Sequence, residues 1–185
     1  LYSDGLASYT NMISPYLVSG FTSVVSSSSK PLFGQKPMLA GNKPCDYNHL
    51  KIELDEYEEF KNKCPQSLKW IKRMVGATEF INNKERYCLW LVGCSPNELR
   101  QMPLVLKRVE ACREARIAAD TAESRKLALT PMLFREQLNP ESYLIIPAVS
   151  SERRRYIPTG FLDKSVIPVM GALIIPNADL VDFGI

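Results

Sequence analysis

Apolar and polar positions along this chain change period several times, and each change marks an element. Phe21 to Val25 is a short strand candidate that runs out into serines and Lys30-Pro31. Between residues 32 and 50, Gly34, Pro37, Gly41 and Pro44 interrupt any period, which predicts turns with no regular element of any length. Asp55 and Glu58 stand at capping-box spacing and predict a short acidic helix ending near Lys63. Pro65 opens a second predicted helix, with Leu68, Ile71, Met74 and Val75 on one face and Gly76 as its C-cap. Residues 80–84 read as a turn leading into an apolar strand over 86–92, placed near the centre of a sheet. Ser95-Pro96-Asn97-Glu98 combines an N-cap, a proline at the first helical position and a reciprocal carboxylate, and Pro103 restarts the helix. From 104 to about 119 the stripe Leu106, Val109, Cys112 and Ala115 faces a core, leaving Arg113 and Arg116 one turn apart on a neighbouring face. Asp120 and Glu123 cap a last helix that Thr130-Pro131 stops. Two strand-like runs come next, 143–149 and 156–162, then a strand over 166–175 broken by Pro168 and Gly171, a turn at Pro176-Asn177-Ala178 and a final short apolar run.

Strands at both ends with helices clustered between them predict an α+β fold with a mixed or antiparallel sheet. The chain divides into an irregular lead-in over 1–50, a helix-rich part over 54–130 and a strand-rich part over 142–182, within one domain.

The polar tip between the runs 143–149 and 156–162 carries Ser150, Ser151, Glu152, Arg153, Arg154 and Arg155, followed by Tyr156. Guanidinium forks and a carboxylate within a few residues are the groups that read guanine and cytosine edges in a major groove. The same charge run is equally at home in a solvated turn, and composition by itself favours that plainer reading.

Composition narrows the classes of function. Of 185 residues 45% are hydrophobic and 23% charged, ordinary for a globular domain, and the net charge of +3 means that any nucleic-acid surface must be local. No apolar run is long enough to span a bilayer and no secretion signal opens the chain, so a cytoplasmic location is expected. Five scattered cysteines suit reduced thiols, and without a Cys-x-x-Cys pair beside the lone His49 no zinc site is expected. The first residue is Leu1, and the chain reads as a piece of a longer one.

Glycine-rich dinucleotide turns, a Walker loop and a nucleophile elbow are all missing, and one histidine supports no triad, so binding is a better expectation than catalysis. The acidic run over 53–59 reads as a helix start rather than a metal site. The lysines and arginines between Arg100 and Lys126 alternate with acids; Arg113, Arg116, Arg125 and Lys126 are candidate phosphate contacts among them, against the plainer reading of a salt-bridged face. Lys36 and Lys43 in the 32–50 loop are further candidates.

A set of ordered blocks from about residue 11 to the end resembles one family. They are Ile13-Ser-Pro-Tyr-Leu, Ser29-Lys-Pro-Leu, Gly41-Asn-Lys-Pro, Gly76-Ala-Thr-Glu-Phe-Ile-Asn-Asn, Tyr87-Cys-Leu-Trp-Leu, Ser95-Pro-Asn-Glu-Leu, Val149-Ser-Ser-Glu-Arg, Tyr156-Ile-Pro-Thr-Gly-Phe-Leu and Leu173-Ile-Ile-Pro-Asn-Ala. Together they look like the target recognition domain of MmeI-like DNA methyltransferases, bacterial restriction-modification enzymes. The resemblance implies double-stranded DNA as partner and a neighbouring domain of the same polypeptide that binds S-adenosylmethionine and methylates adenine at N6. The methyltransferase signatures of that neighbour do not occur in this chain, and Ser14-Pro15-Tyr16 does not replace them, so the resemblance implies a segment without catalysis or cofactor of its own. It also assigns base reading to the tip, with Glu152 and Arg154 first, Arg153, Arg155 and Ser151 as alternates, and Ser150, Tyr156, Arg135 and Gln137 as further contacts. The alternative is a protein–protein docking domain whose basic tip meets an acidic partner.

Overall fold

The computed structural model describes Pro31 and residues 34–184, so the strand expected over 21–25 lies outside the described residues. The chain divides into two compact units, Leu1–Gly34 and Gln35–Ile185, and the described strands and helices all belong to the second.

The strands are β1 (Leu39–Ala40), β2 (Lys51–Ile52), β3 (Ile71–Val75), β4 (Tyr87–Leu89), β5 (Ser142–Pro147), β6 (Gly160–Asp163), β7 (Val166–Pro168) and β8 (Ala172–Pro176). The helices are α1 (Leu54–Lys63), α2 (Ala77–Asn82), α3 (Pro96–Arg100), α4 (Pro103–Ile117), α5 (Ala122–Leu127) and α6 (Leu180–Phe183), with a 3₁₀ helix at Pro65–Trp70. Two four-stranded sheets result, ordered β1-β8-β5-β6 and β2-β4-β3-β7. The first is antiparallel throughout; the second is mixed, because β3 runs parallel to β7 with Met74 opposite Ile167. The architecture is α+β, as expected.

Strand alternation distributes side chains between two cores. On β3, Met74 enters a large core with Leu50, Ile52, Phe60, Leu89 and Val109, while the next residue, Val75, enters a smaller one with Tyr143, Ile145 and Ile174. Ile167 and Val166 on β7 divide in the same way. The two strands therefore join the helix-backed sheet to the hairpin that carries the arginine loop.

Two helix starts and one strand came out as expected. Ser95 caps α3, its hydroxyl accepting from the Glu98 N–H at 3.3 Å while the Glu98 carboxylate accepts from the Ser95 N–H at 3.0 Å. Pro103 starts α4, and 86–92 contains β4, an interior strand with Cys88 and Leu89 buried. Other expectations need correction. The α1 cap lies earlier than Asp55, at Glu53, whose N–H donates to the Glu56 carboxylate at 2.9 Å. Thr121 rather than Asp120 caps α5. The helix expected after Pro65 is a 3₁₀ helix followed by β3, because that segment lies between β4 and β7 and both its edges find ladder partners. Gly76 is consequently the N-cap of α2, and residues 77–82, partly expected as a turn, are helical, with Asn83 as a left-handed C-cap. The run 166–175 is two strands in different sheets, and the last apolar run is the helical turn α6.

The hairpin pairs Ser142 with Asp163 through Ile145 with Gly160. Its second strand begins at Gly160, later than the expected residue 156, because Pro158 has no N–H to offer β5 and residues 150–157 are exposed. The connecting loop is longer than the sequence pattern implied and runs over 148–159.

Among the described residues no helix is long and apolar enough to cross a membrane.

Candidate nucleic-acid interface

The loop over 148–159 grows from the buried strand β5, with Tyr143 and Ile145 in the smaller core. A tight turn shapes its tip: the Arg154 N–H donates to the Ser151 carbonyl at 3.0 Å, and the Arg153 N–H donates to the Ser151 hydroxyl at 3.2 Å. Glu152, Arg153, Arg154 and Arg155 are exposed and form no ion pair with the described residues. The Arg155 guanidinium lies 5.3 Å from the Tyr156 ring centroid, a cation–π contact that directs it along the loop. The tip thus presents charged forks whose hydrogen-bonding capacity is unspent.

A second rim adjoins the loop's foot. The Ala148 N–H donates to the Gly171 carbonyl at 2.9 Å, and one residue before that glycine the Met170 N–H donates to the Asn42 carbonyl, also at 2.9 Å. Asn42 is fully buried, and its amide donates to the carbonyls of Leu138 and Pro168 at 2.8 Å each while accepting from the Leu138 N–H at 2.7 Å. Lys43 is tied to the same neighbourhood: its N–H donates to the Glu136 carboxylate at 2.8 Å and its carbonyl accepts from the Arg135 N–H at 3.1 Å. A continuous line of hydrogen bonds therefore links the tip loop, the turn at 170–171, the Lys43 segment and the Arg135 segment. Gly41 permits the close approach, since a Cβ there would sit 2.5 Å from the Val169 carbonyl oxygen.

Two arginines of α4 hold the loops behind this rim. Arg116 is fully buried and spends its donors on the carbonyls of Pro44, Cys45, Leu127, Thr130 and Leu133 at 2.8–3.2 Å. That corrects its assignment as a phosphate contact, because the guanidinium has neither exposure nor a free donor. Arg108 donates to the carbonyls of His49 and Lys51, pairs with Glu56 and lies over the Phe60 ring. Between them they fix the turn at residues 45–48, where Cys45, Tyr47 and Asn48 all adopt positive φ.

The other candidates separate. Arg135 and Gln137 are exposed on the second rim, Arg135 near Glu123 and Glu136 at 3.5 and 3.3 Å, and Gln137 donating to the Phe134 carbonyl at 2.6 Å. Arg113 and Lys126 are exposed. Arg125 donates to the carbonyls of Ala119 and Asp120 beyond the end of α4, a structural use of that side chain. Lys36 bridges Asp182 and Asp179 at 2.7 and 2.9 Å; the hydrogen bonds to Asp182 and then Asp179 raise its pKa, and its role is to anchor α6. Sequence reasoning missed Asn42, Arg108 and Met170 as parts of the framework; only Gly41, which marks a close backbone approach, carried a local signal.

Among the described thiols, Cys88 and Cys112 are buried. Burial pushes Cys88 up to about 12 and Cys112 up to about 11, which keeps both protonated. A cavity of about 530 Å³ between α1, α4 and the 47–49 turn places Glu56 and Glu59 in ion pairs with Arg108 and Lys63.

Known proteins match this chain along essentially its whole length. DNA methyltransferase A of Bacillus subtilis (strain 168) is 34% identical over 186 residues, covering all of this chain and 21% of that protein. The type IIL restriction-modification enzyme MmeI, solved in complex with DNA, matches with a TM-score of 0.87 at 39% identity, over 97% of this chain and 24% of that one. The chain thus spans no more than about a quarter of the length of either relative. The MmeI target recognition domain matches residues 19–185, and the chain belongs to that family.

Proposed function

We propose that this chain is the sequence-reading module of a larger S-adenosylmethionine-dependent adenine-N6 DNA methyltransferase of a restriction-modification system. The observation that carries the reading is the exposed tip loop, whose arginines and glutamate form no ion pair with the described residues, in a chain of the target recognition family. The module extends as one recognition domain through the 54–130 and 142–182 parts, and the catalytic domain follows or precedes it in the same polypeptide. The methyl donor belongs to that other domain: the described cavity here has both carboxylates engaged and no glycine-rich strand end, and so does not fit it.

The tip enters the major groove of double-stranded DNA. Arg154 donates both arms of its fork to a guanine, and Glu152 accepts from the amino group of the paired cytosine. Arg153, Arg155 and Ser151 stand ready in neighbouring register, with Ser150 and Tyr156 at the edges of the contact. Lys43, Arg135 and Gln137 on the adjoining rim, with Arg113 and Lys126 farther along, contact phosphates and orient the domain without adding sequence information.

The test is to replace Glu152 and Arg154 with alanine in the full-length enzyme and map modified adenines on plasmid DNA. A bidentate contact is worth about 1–3 kcal/mol of discrimination, so methylation of the original site falls roughly tenfold or more, or one base pair of the site becomes degenerate. Unchanged methylation of the same sequence overturns the base-reading role. A protein-docking module would leave random duplex DNA unbound at every salt concentration.

A further inference from the structure

Apolar side chains stand at the foot of the arginine loop where a solvated turn would carry polar ones. The last ladder pair of β5 and β8 is Pro147 with Ala172, and the Ala148 N–H to Gly171 carbonyl bond extends it by one step. Immediately beyond that bond lie Val149, 70% exposed, and Met170, 61% exposed. Neither is on a loosely held backbone. Met170 occupies the second position of a tight turn that the Ala172 N–H closes onto the Val169 carbonyl at 3.3 Å, with Gly171 at φ +98° behind it. Its own N–H is held by Asn42, and its carbonyl packs so near Gly76 that a Cβ there would lie 3.0 Å away. Val149 is β-branched and stiff about χ1, one residue outside a hydrogen-bonded position. Two exposed apolar groups are thus presented beside a loop that holds three arginines against one glutamate, which complements a polyanion.

The floor of a major groove offers such groups one apolar feature, the C5-methyl of thymine. We propose that Val149 and Met170 together form a contact for that methyl group, on a thymine next to the base pair engaged by the tip; this rests on reading the tip as a major-groove element. Methionine suits the role because its unbranched thioether adapts to the groove floor, while the valine methyls supply a fixed wall. The pair adds specificity for thymine over cytosine beside the base pair that the tip engages.

The experiment uses the full-length enzyme and one DNA fragment prepared twice, with thymidine or with deoxyuridine throughout, so that the copies differ only in the methyl group. The initial rate of methyl transfer on the deoxyuridine copy is expected to be about fourfold lower, the effect of one buried methyl-sized group. The ratio should fall to about one in the Val149→Ala/Met170→Ala variant and persist in Met170→Leu, which keeps the apolar bulk. Equal wild-type rates on the two copies, or a ratio unchanged in the double variant, would overturn the proposal while leaving the tip reading intact. Failure of the wild-type enzyme to modify either copy sinks the DNA-recognition reading, and this contact with it.

Discussion

Arg116 places its donors on carbonyls of the 44–45, 127–130 and 133 segments, so its loss strands several buried acceptors at once. Each unsatisfied buried group costs about 1–3 kcal/mol, and Arg116→Met is therefore expected to lower unfolding stability by about 3 kcal/mol or more. Arg116→Lys should fall between, since an ammonium has three donors in a different geometry. Urea denaturation measures both, and a midpoint for Arg116→Met equal to wild type would refute the cage. Gly41 makes a second residue-scale case. Its missing Cβ admits the Val169 main chain, which no rotamer change can move aside, so Gly41→Ala is expected to cost about 2 kcal/mol and to loosen the Lys43 rim. Amide exchange at Asn42 and Met170 should quicken in that variant.

The elements owe their ends to electrostatics that can be titrated. Glu98 closes the α3 capping box, and its carboxyl is held down to about 2, first by the hydrogen bond from Lys69 and then by the Ser95 N–H and hydroxyl. A folded-state pKa below the ordinary 4.5 means that the contribution is complete above that value and disappears as pH falls toward 2. The melting-temperature gap between wild type and Glu98→Gln should therefore narrow as pH falls from about 4.5 toward about 2, and also in high salt, because the group is exposed. A gap that widens on acidification would contradict this. At the other end of the chain, Lys36 links the 35–38 segment to α6, with its pKa raised by Asp182 and Asp179, and that of Asp179 lowered chiefly by Lys36. The pairing is complete between the ordinary 3.8 of aspartate and 10.5 of lysine, and is lost both as pH falls below that carboxylate value and as it rises past that of lysine. Lys36→Met should speed amide exchange in Leu180–Phe183 at neutral pH, with the rest of the domain unaffected.

On the scale of the whole molecule, a net charge of +3 over 185 residues supplies little general attraction for DNA. Affinity under the proposed function comes from a local arrangement, the tip loop beside the Lys43 and Arg135 rim. Replacing Lys43 and Lys126 with alanine should reduce the slope of log affinity against log salt on random duplex by about 1 per lysine while leaving the methylated sequence unchanged. Replacing Glu152 and Arg154 should change the sequence instead. Fluorescence anisotropy over a salt series, with methylation mapping beside it, separates the two groups of residues; a slope indifferent to both lysines would remove them from the phosphate set.

What the sequence determined by itself was local. Ser95, Pro96, Glu98 and Pro103 specify helix starts through groups within a few residues of one another and kept those roles, while the runs 143–149 and 156–162 announce strands by composition that the fold shortens to Ser142–Pro147 and Gly160–Asp163. The charged tip was legible for the same reason, since a run of arginines at a turn has nowhere to go but solvent. Tertiary structure alone decided the rest. Ile71–Val75 fits a helical period as well as a strand, and it is a strand because β4 and β7 offer ladder partners on either side. Arg113 and Arg116 lie one turn apart on α4, yet one is exposed and the other fully buried, because the carbonyls that satisfy Arg116 include Cys45, separated from it by 71 residues. Periodicity records which face of an element is apolar. It cannot record which distant backbone will arrive to satisfy a strand edge or a buried charge, and here that arrival determines which basic residues remain available to a partner.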